Sequence, residues 1–398
     1  MELRHVLVPA LAGALVLAGC TEDTAEETER PAEPAAVTVS WAEQPLPAPT
    51  GAPGRTVVRD AVQCGDGWWV VGAVLLEHPT ETRDTRPAAW FSPDRTSWTS
   101  VEVGSTTYWG RRAILNSVAC SRGRIAVVGA RSGGAHGNPR VTTFRLDGDR
   151  LVDVPALFIQ YGGVTATNVG PVAGGPTGWL ITGNRISGPG VWFTDDPREF
   201  TRVEEEPGLT DDGDLESLAQ GAGWSGDEWV LVGSGARTGR HLDPDPLAWT
   251  STDGLAWTPE PMPAQEGVQD VHRVVALAGG GVLAVGRSED GFAAWVRDDE
   301  GWSSATGFGA VADSWRGAPY VASLVRTPVG VLATVSTGDH YEVWQTTDGR
   351  SWRQVDVPLE PRTAGDHTLV AADGDALLLV ADAGDGGHVW SGTVAPTG

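Results

Sequence analysis

The amino-acid sequence predicts an all-β protein, a seven-bladed β-propeller of four-stranded antiparallel blades closed by an N-terminal strand. Three observations lead to this prediction: a repeated aromatic hairpin, a β-rich run ahead of each hairpin, and a repeat length typical of propeller blades. A single conventional core rarely grows beyond about 250–300 residues. The length of 398 residues therefore also favours a repeat architecture.

The repeated hairpin is clearest between Trp249 and Trp257, which flank a tight turn. Asp253 can accept hydrogen bonds from the backbone N–H groups that follow it, and Gly254 can adopt the positive φ that such turns need. The two tryptophans can then cover the apolar face of the hairpin. The turn residues are therefore interpreted as structural. The same interpretation applies to their counterparts in two further hairpins: Asp94, Asp348 and Gly349.

The first aromatic residue of the hairpin recurs roughly every 50 residues and marks seven repeats. A β-rich run such as Trp68–Gly72 and a shorter apolar segment precede each hairpin, which gives four strands, a to d, per repeat. The repeated aromatic positions are Trp90, Phe144, Trp192, Trp249, Trp295, Trp344 and Trp390.

The seventh repeat stops before its strand d. Residues 37–47 match the missing strand, so we expect them to pair with residues 388–394 and to close the ring. The predicted propeller spans residues 37–394, with blades at about 56–103, 112–155, 165–205, 214–261, 271–306, 318–358, and 366–394 plus 37–47.

Residues 1–19 are typical of a secretory signal, with an apolar run too short to span a membrane comfortably. The Leu-Ala-Gly-Cys segment that ends this run resembles a bacterial lipobox. The resemblance implies cleavage before Cys20 and a lipid on its thiol, which would anchor the protein to the outer face of the cell membrane. Residues 20–36 are acidic and rich in Thr, Ala and Pro, and are predicted to form a flexible tether. A plain signal peptide with an incidental cysteine is the alternative.

The formal net charge is −24, and all 28 basic residues are arginine because the chain has no lysine. High-GC codon usage and a solubility role of the acidic surface are alternative explanations. The acidic total argues against a nucleic-acid partner. The histidines form no metal-binding pair motif and the acidic clusters lack EF-hand spacing, so neither a metal nor another cofactor is expected. We expect a monomer.

Cys64 and Cys120 are the other two cysteines, in equivalent places in strand a of neighbouring blades. Outside the cytoplasm such a pair favours a disulfide. The inner strands of two blades could nevertheless lie farther apart than the ~7 Å Cα limit for a bridge. A disulfide and two buried thiols are therefore both compatible with the sequence.

With these features the chain resembles the BNR/Asp-box and YVTN-like propeller families, a superfamily that includes the sialidases. The resemblance spans residues 37–394 and rests on Ser251, Asp253, Gly254 and Trp257. Their spacing, Ser-x-Asp-Gly-x-x-Trp, departs by one residue from the usual Ser-x-Asp-x-Gly-x-Thr-Trp. Because the Asp-box is a structural turn in those families, the resemblance implies a fold and not a reaction.

The face expected to bind a ligand carries the loops between strands b and c and the linkers from strand d to the next strand a. Two of these linkers combine arginine with aromatic residues, which suits carboxylated sugars and is favoured at binding hot spots. The alternative is that the aromatics pad the surface and the arginines pair with nearby acids. The candidate residues are Tyr108, Trp109, Arg111 and Arg112 in one linker, and Trp315, Arg316 and Tyr320 in the other.

Two functions are compatible with these observations. The first is a membrane-anchored lipoprotein whose propeller is a non-catalytic binding or scaffold module for a protein or an envelope glycan. The second is a sialidase-like glycoside hydrolase acting on acidic sugars, for which the resemblance implies an arginine triad, a Tyr–Glu nucleophile pair and an Asp acid/base. Four tyrosines, no Phe-Arg-Ile-Pro segment and seven blades, where sialidases usually have six, favour the binding module. No catalytic residue is assigned.

Overall fold

A computed structural model describes residues 36–80, 83–133, 139–239, 243–312, 317–358 and 367–396 of the chain. Seven sheets make up this part, and strand a of each packs against strand a of the next until the ring returns to the first. The predicted seven-bladed propeller is therefore confirmed. The predicted signal peptide, Cys20 and residues 21–35 of the tether lie outside the described residues, as do Trp315 and Arg316.

The strands follow one another through the blades in chain order, and the first strand belongs to the last blade. The chain begins with β1 (Val37–Gln44) and continues into blade 1 with β2 (Gly54–Cys64), β3 (Gly67–Thr80), β4 (Arg83–Ser92) and β5 (Thr99–Val101), which are followed by β6 (Val103–Gly104). Blade 2 contains β7 (Ile114–Ser121), β8 (Arg124–Ser132), β9 (Pro139–Asp147) and β10 (Arg150–Val154); blade 3 contains β11 (Ala166–Gly175), β12 (Gly178–Arg185), β13 (Gly188–Thr194) and β14 (Thr201–Val203); and blade 4 contains β15 (Leu215–Trp224), β16 (Trp229–Arg237), β17 (Asp245–Ser251) and β18 (Thr258–Pro261). Blade 5 contains β19 (Asp270–Ala276), β20 (Val282–Arg287), β21 (Phe292–Asp298) and β22 (Gly301–Ser304); blade 6 contains β23 (Tyr320–Thr327), β24 (Gly330–Ser336), β25 (Tyr341–Thr346) and β26 (Arg353–Val355); and blade 7 contains β27 (His367–Asp373), β28 (Ala376–Ala383) and β29 (Gly386–Pro396). One helical turn, α1 (Phe158–Tyr161), lies between blades 2 and 3, and a 3₁₀ turn, Gly110–Arg112, lies between blades 1 and 2.

Blade 7 joins the two ends of the propeller. Strand β1 pairs antiparallel with β29, from Val37 opposite Pro396 to Gln44 opposite Val389. The predicted closure of the ring by the N-terminal strand is therefore confirmed. We call the face with the b–c loops and d–a linkers the upper face, and the opposite one the lower face. Because β1 is a strand d, it runs towards the upper face, and the chain enters the propeller at Val37 on the lower face.

Blade 2 differs from the expected pattern because its sheet has five strands. After β5 the chain stays extended, and β6 pairs in parallel with β10, with Val103 opposite Leu151. The added strand covers an edge that would otherwise present unpaired backbone groups. The segment at Val103, predicted to be the end of blade 1, thus completes the neighbouring sheet.

In blades 1 to 5 a glycine within strand b lies opposite the point where strand a bulges. Strand a has an irregular register in blades 1 to 6, and in blade 1 the irregularity lies between Val58 and Asp60, opposite Gly72. A Cβ atom at Gly72 would lie only 1.9 Å from the carbonyl oxygen of Val57. The glycine that ends the Trp68–Gly72 run therefore serves close backbone approach.

The apolar core consists of seven clusters, each between two neighbouring blades. Several of the repeated tryptophans are fully buried there, and their indole N–H groups hold the incoming linkers. The Nε1 of Trp90 donates to the carbonyl of Pro47 at 2.8 Å, and that of Trp192 donates to the carbonyl of Gln160 at 2.7 Å. The tryptophan repeat therefore stabilises the core and also fixes the linkers of the upper face.

The aspartate turns lie on the lower face. Asp253 Oδ1 accepts hydrogen bonds from the amides of Leu255 and Ala256 at 2.8 and 3.0 Å, and Gly254 has a φ of 76°. These amide bonds hold the pKa of Asp253 below its ordinary value. The turns at Asp94 and at Asp348 and Gly349 have the same pair of amide bonds.

A disulfide joins Cys64 to Cys120, with their Cα atoms 5.4 Å apart. It links the lower ends of β2 and β7, so the two inner strands are close enough there to be bridged. The bond closes a sequence separation of 56 residues between blades 1 and 2. Of the two alternatives for these cysteines, the structure contains the bridge.

Candidate functional site

The candidate residues of the first linker form an aromatic cluster on the upper face. Tyr108 and Trp109 pack edge to face with ring centroids 4.8 Å apart. The guanidinium of Arg112 lies over both rings, 5.3 and 5.6 Å from their centroids, and donates to the Tyr108 hydroxyl at 2.7 Å. Arg111 is exposed and donates to the backbone carbonyl of Thr106. The aromatic and arginine residues that the sequence predicted in this linker therefore do form a cluster.

Arg112 is also paired with an acid, as the alternative interpretation expected. Its Nη2 lies 3.1 Å from Asp84 Oδ1, and Arg131 binds the other oxygen of Asp84. The hydrogen bond from Arg131, followed by that from Arg112, lowers the pKa of Asp84 to about 2. Asp84 is therefore ionised at neutral pH, and much of the charge of Arg112 is compensated inside the molecule.

The shape of this linker is set by Asp153 of β10. Its carboxylate accepts hydrogen bonds from the amides of Thr106 and Thr107 and from the hydroxyls of Ser105 and Thr107, at 2.7 to 3.0 Å. Burial opposes ionisation, but these bonds hold the pKa of Asp153 below its ordinary value. A single carboxylate therefore fixes the segment that positions Tyr108 and Trp109.

Tyr320 does not lie in a linker as predicted, which is a correction to the candidate face. It is the first residue of β23, and its half-buried hydroxyl lies 2.7 Å from that of Tyr341 and 3.4 Å from Nδ1 of His367. Tyr320 therefore belongs to strand a of blade 6, and its hydroxyl contacts β25 and β27. Its predicted neighbours Trp315 and Arg316 lie outside the described residues.

The linker between blades 2 and 3 carries apolar residues that the sequence analysis did not single out. Leu157, Phe158 and Ile159 are 77%, 57% and 57% exposed. Two further residues are also exposed: Val164 in the same linker, and Ile186 in the b–c loop of blade 3. The sequence feature that could have identified this surface is the run of three apolar residues between two predicted blades.

This linker is held firmly to blade 3. The buried indole of Trp192 donates to the carbonyl of Gln160, and the buried guanidinium of Arg185 donates to the carbonyl of Gly162 at 3.2 Å. Gln160 in turn donates to the carbonyl of Phe200 at 2.6 Å. The apolar side chains are thus presented to solvent by a backbone that strands b and c of the blade fix in place.

A cavity of about 390 Å³ lies between the two linkers, and we call it the α1 pocket. The guanidinium of Arg140 stacks on the Phe158 ring, 4.4 Å from its centroid, at the wall of this pocket. Tyr161 is buried and directs its hydroxyl towards Thr143. The pocket is lined by both linkers and by strand β9, including Thr107, Trp109, Arg140, Val141, Phe158 and Tyr161.

A second cavity of about 350 Å³ is the central channel, lined by the inner strands. Asp60 accepts hydrogen bonds there from the amides of Ala61 and Val118, both at 2.8 Å, and so links blades 1 and 2. Burial raises the pKa of Asp60 to about 6. Arg273 donates to the carbonyls of His272 and Ala322 and links blades 5 and 6.

Burial also shifts the basic groups of the channel. It lowers the pKa of Arg273 below its ordinary value, and burial together with the nearby charge of Arg59 lowers the pKa of His367 to about 4. His367 is therefore neutral at pH 7. The hydrogen bonds of Asp60 and Arg273 to backbone groups give these channel residues a structural role in joining blades.

The described residues of the channel do not form the constellation expected of a sialidase. In the described part of the chain its lining includes two arginines, Arg59 and Arg273, where the resemblance implies three. The hydroxyl of Tyr320 contacts Tyr341 and His367, and no glutamate among the described residues is bonded to it. The described residues also contain no group of three or more His, Cys, Asp or Glu side chains placed to hold a metal ion. None of their helices is long and apolar enough to cross a membrane.

No known protein family matches this sequence, and no curated protein matches it either. Solved structures do match in fold. YCF48 from Cyanidioschyzon merolae is 14% identical, with a TM-score of 0.50 over 88% of this chain and 98% of that one. Trypanosoma rangeli sialidase in complex with the inhibitor DANA is 10% identical, with a TM-score of 0.45 over 89% of this chain and 59% of that one. This chain therefore spans only part of the length of that sialidase. The GH93 α-L-arabinofuranosidase of Fusarium graminearum is 16% identical, with a TM-score of 0.41 over 90% of this chain and 97% of that one.

The sheet topology defines the class of the protein as a seven-bladed β-propeller. At 14% identity the likeness to YCF48 shows the shared fold alone. A functional interpretation therefore rests on the residues of this chain.

Proposed function

We propose that this protein is a lipoprotein anchored outside the cytoplasm, and that its propeller is a non-catalytic module that binds a macromolecular partner. The proposed contact surface, which we call the upper patch, consists of Tyr108, Leu157, Phe158, Ile159, Val164 and Ile186. The partner is a protein or an envelope glycan.

The distribution of exposed apolar side chains carries this proposal. Eight large hydrophobic residues are exposed in the described part of the chain, and six of them form the upper patch. The other two are Leu218 in β15 and Leu255 in an aspartate turn of the lower face. Apolar side chains that are concentrated on one face and held by a fixed backbone are typical of an interaction surface.

The anchor is supported by the sequence resemblance at Cys20. A chemical test is metabolic labelling with an alkyne analogue of palmitate. The wild-type protein should be labelled, and the Cys20→Ser variant should not. Equal labelling of the two proteins would contradict the anchor and leave the binding module as a separate question.

The binding surface is tested by photocrosslinking in cells that produce the tethered protein. Replacing Phe158 and Ile159 by Ser should remove the crosslinked product formed by the wild type. Leu255→Ser is the matched control, because it removes an exposed apolar side chain of the lower face and should leave the product unchanged. A product that survives the first change, or is lost equally in both variants, would contradict the upper patch.

The hydrolase alternative has a direct assay. Purified protein incubated with a fluorogenic sialoside should release no fluorophore above a heat-denatured sample. Turnover that disappears on replacing Arg59 and Arg273 by Gln would establish an enzyme and overturn the proposal of a non-catalytic module.

A further inference from the structure

The α1 pocket is a formed cavity beside the upper patch. One wall is the linker shaped by Asp153, which positions Thr107 and Trp109, and the opposite wall is α1, which Trp192 holds through Gln160. A cavity of about 390 Å³ has room for one large side chain of a partner. Because both walls are fixed by hydrogen bonds, binding there would require little ordering of the protein.

The α1 pocket contains an arginine that no acid pairs with in the described part of the chain. Arg112 is paired with Asp84, and Arg185 is paired with Glu204. Among the described residues, no carboxylate lies in ion-pair contact with Arg140, although the chain carries a net charge of −24. Its guanidinium carbon lies over the Phe158 ring, and its N–H groups can bind an anion.

We propose, on the basis of the function proposed above, that the α1 pocket binds an acidic-aromatic segment of a partner protein. An aromatic side chain of the partner occupies the pocket between Trp109 and Phe158. A neighbouring carboxylate of the same segment pairs with Arg140. This combination satisfies both the apolar walls and the arginine that has no acid of its own in the described chain.

The size of the pocket favours a protein over a lipid surface as the occupant, because a cavity of about 390 Å³ accommodates a single side chain. The first described strand begins at Val37 on the lower face. The upper patch and the α1 pocket lie on the opposite face. A second copy of this chain is the competing occupant, and the oligomeric state tests it.

The test uses three short peptides with the full mature chain in a non-ionic detergent, followed by ligand-observed NMR. Their central sequences are Asp-Phe-Glu, Asn-Phe-Gln and Asp-Ala-Glu. We expect saturable binding that is strongest for Asp-Phe-Glu and is lost for Asp-Ala-Glu. Equal binding of the three peptides, or no binding of Asp-Phe-Glu, would overturn the proposal.

Two variants locate the binding. Arg140→Gln should weaken Asp-Phe-Glu binding about tenfold or more while changing Asn-Phe-Gln binding little, since only the first peptide offers carboxylates. Arg150→Gln, an exposed arginine of the same blade, is the control and should bind like the wild type. A similar loss in both variants would show general charge attraction and would overturn the pocket.

The peptide-binding result tests the pocket separately from the proposed binding module. If the peptides fail while crosslinking in cells still depends on Phe158 and Ile159, the acidic-aromatic partner is wrong and the binding module stands. Analytical sedimentation of the same protein measures its oligomeric state and so tests whether a second copy of the chain is the occupant. A dimer abolished by Phe158→Ser would overturn the inference in favour of self-association.

Discussion

The carboxylate of Asp153 accepts hydrogen bonds from both the amide and the hydroxyl of Thr107, at 3.0 and 2.7 Å. Asp153 lies in the outermost long strand of blade 2, whereas Thr107 lies in the linker that leaves blade 1. This contact connects the stability of a blade with the shape of the α1 pocket.

Replacing Asp153 by Ala should lower the free energy of unfolding by about 2–4 kcal/mol, because several donors would lose their acceptor together. Asp147→Ala in the neighbouring strand is the control, since this exposed residue pairs only with Arg145 in the described chain and should cost less than about 1 kcal/mol. Denaturant unfolding measures both. If both variants lose less than about 1 kcal/mol, Asp153 does not determine the conformation of the linker.

The stabilising effect of Asp60 should depend on pH in the opposite sense to that of a salt-bridged acid. Its folded-state pKa of about 6 lies above the unfolded value near 3.9, so the folded state binds more protons between these values. Stability contributed by the protonated group is therefore present at low pH and is lost as the pH rises from about 4 to 6. Two pKa units correspond to about 3 kcal/mol.

His367 has the reverse effect in the same pH range, because its folded-state pKa of about 4 lies below the ordinary value. The two slopes partly cancel in the wild type, so the comparison must be made with Asp60→Asn. The stability of the wild type relative to this variant should decrease between pH 4 and pH 7. A difference that does not change with pH would show that Asp60 has an ordinary pKa in the folded protein.

Trp257 should be needed for stability because it is 5% exposed within the cluster between blades 3 and 4. Trp257→Ala should cost about 3–5 kcal/mol, and Trp257→Phe should recover part of that loss. Trp352 is half-buried and stacks on Phe308 with centroids 3.9 Å apart, so Trp352→Ala should cost less. Thermal or denaturant melts test the order, and a loss below about 1 kcal/mol for Trp257→Ala would contradict a structural role.

Removing β1 should open the ring. Deleting residues 37–44 leaves the edge of β29 unpaired and removes Val37, Val39 and Trp41 from the cluster of blade 7, so the melting temperature should fall sharply. A synthetic peptide of residues 36–47 added to the deleted protein should restore part of the loss. A deleted protein that melts like the full chain would show that the closure contributes nothing to stability.

Much of the architecture followed from local chemistry that repeats along the chain. The aromatic of strand c, the aspartate turn at Asp253 and the glycine within strand b are set by sequence neighbours, so their recurrence reveals blade number and strand order. The missing seventh strand d and its match at residues 37–47 likewise identified the closure, because strand pairing follows once every other blade is counted. The aromatic-arginine cluster of Tyr108, Trp109 and Arg112 was accessible for the same reason: it lies within five consecutive residues.

The α1 pocket and the channel could be decided only by the tertiary structure. Trp109, Arg140 and Phe158 come from three segments with no shared period, and they meet because Asp153 and Trp192 fix two different linkers. Similarly, Tyr320 was assigned to a linker because sequence cannot locate the first residue of a short strand, whereas the fold places it beside His367. The sequence by itself determined the repeating scaffold, because that depends on contacts close in the chain. Which loop residues remain exposed, and whether Arg140 meets an acid, depends on contacts between linkers and blades that are far apart in the chain.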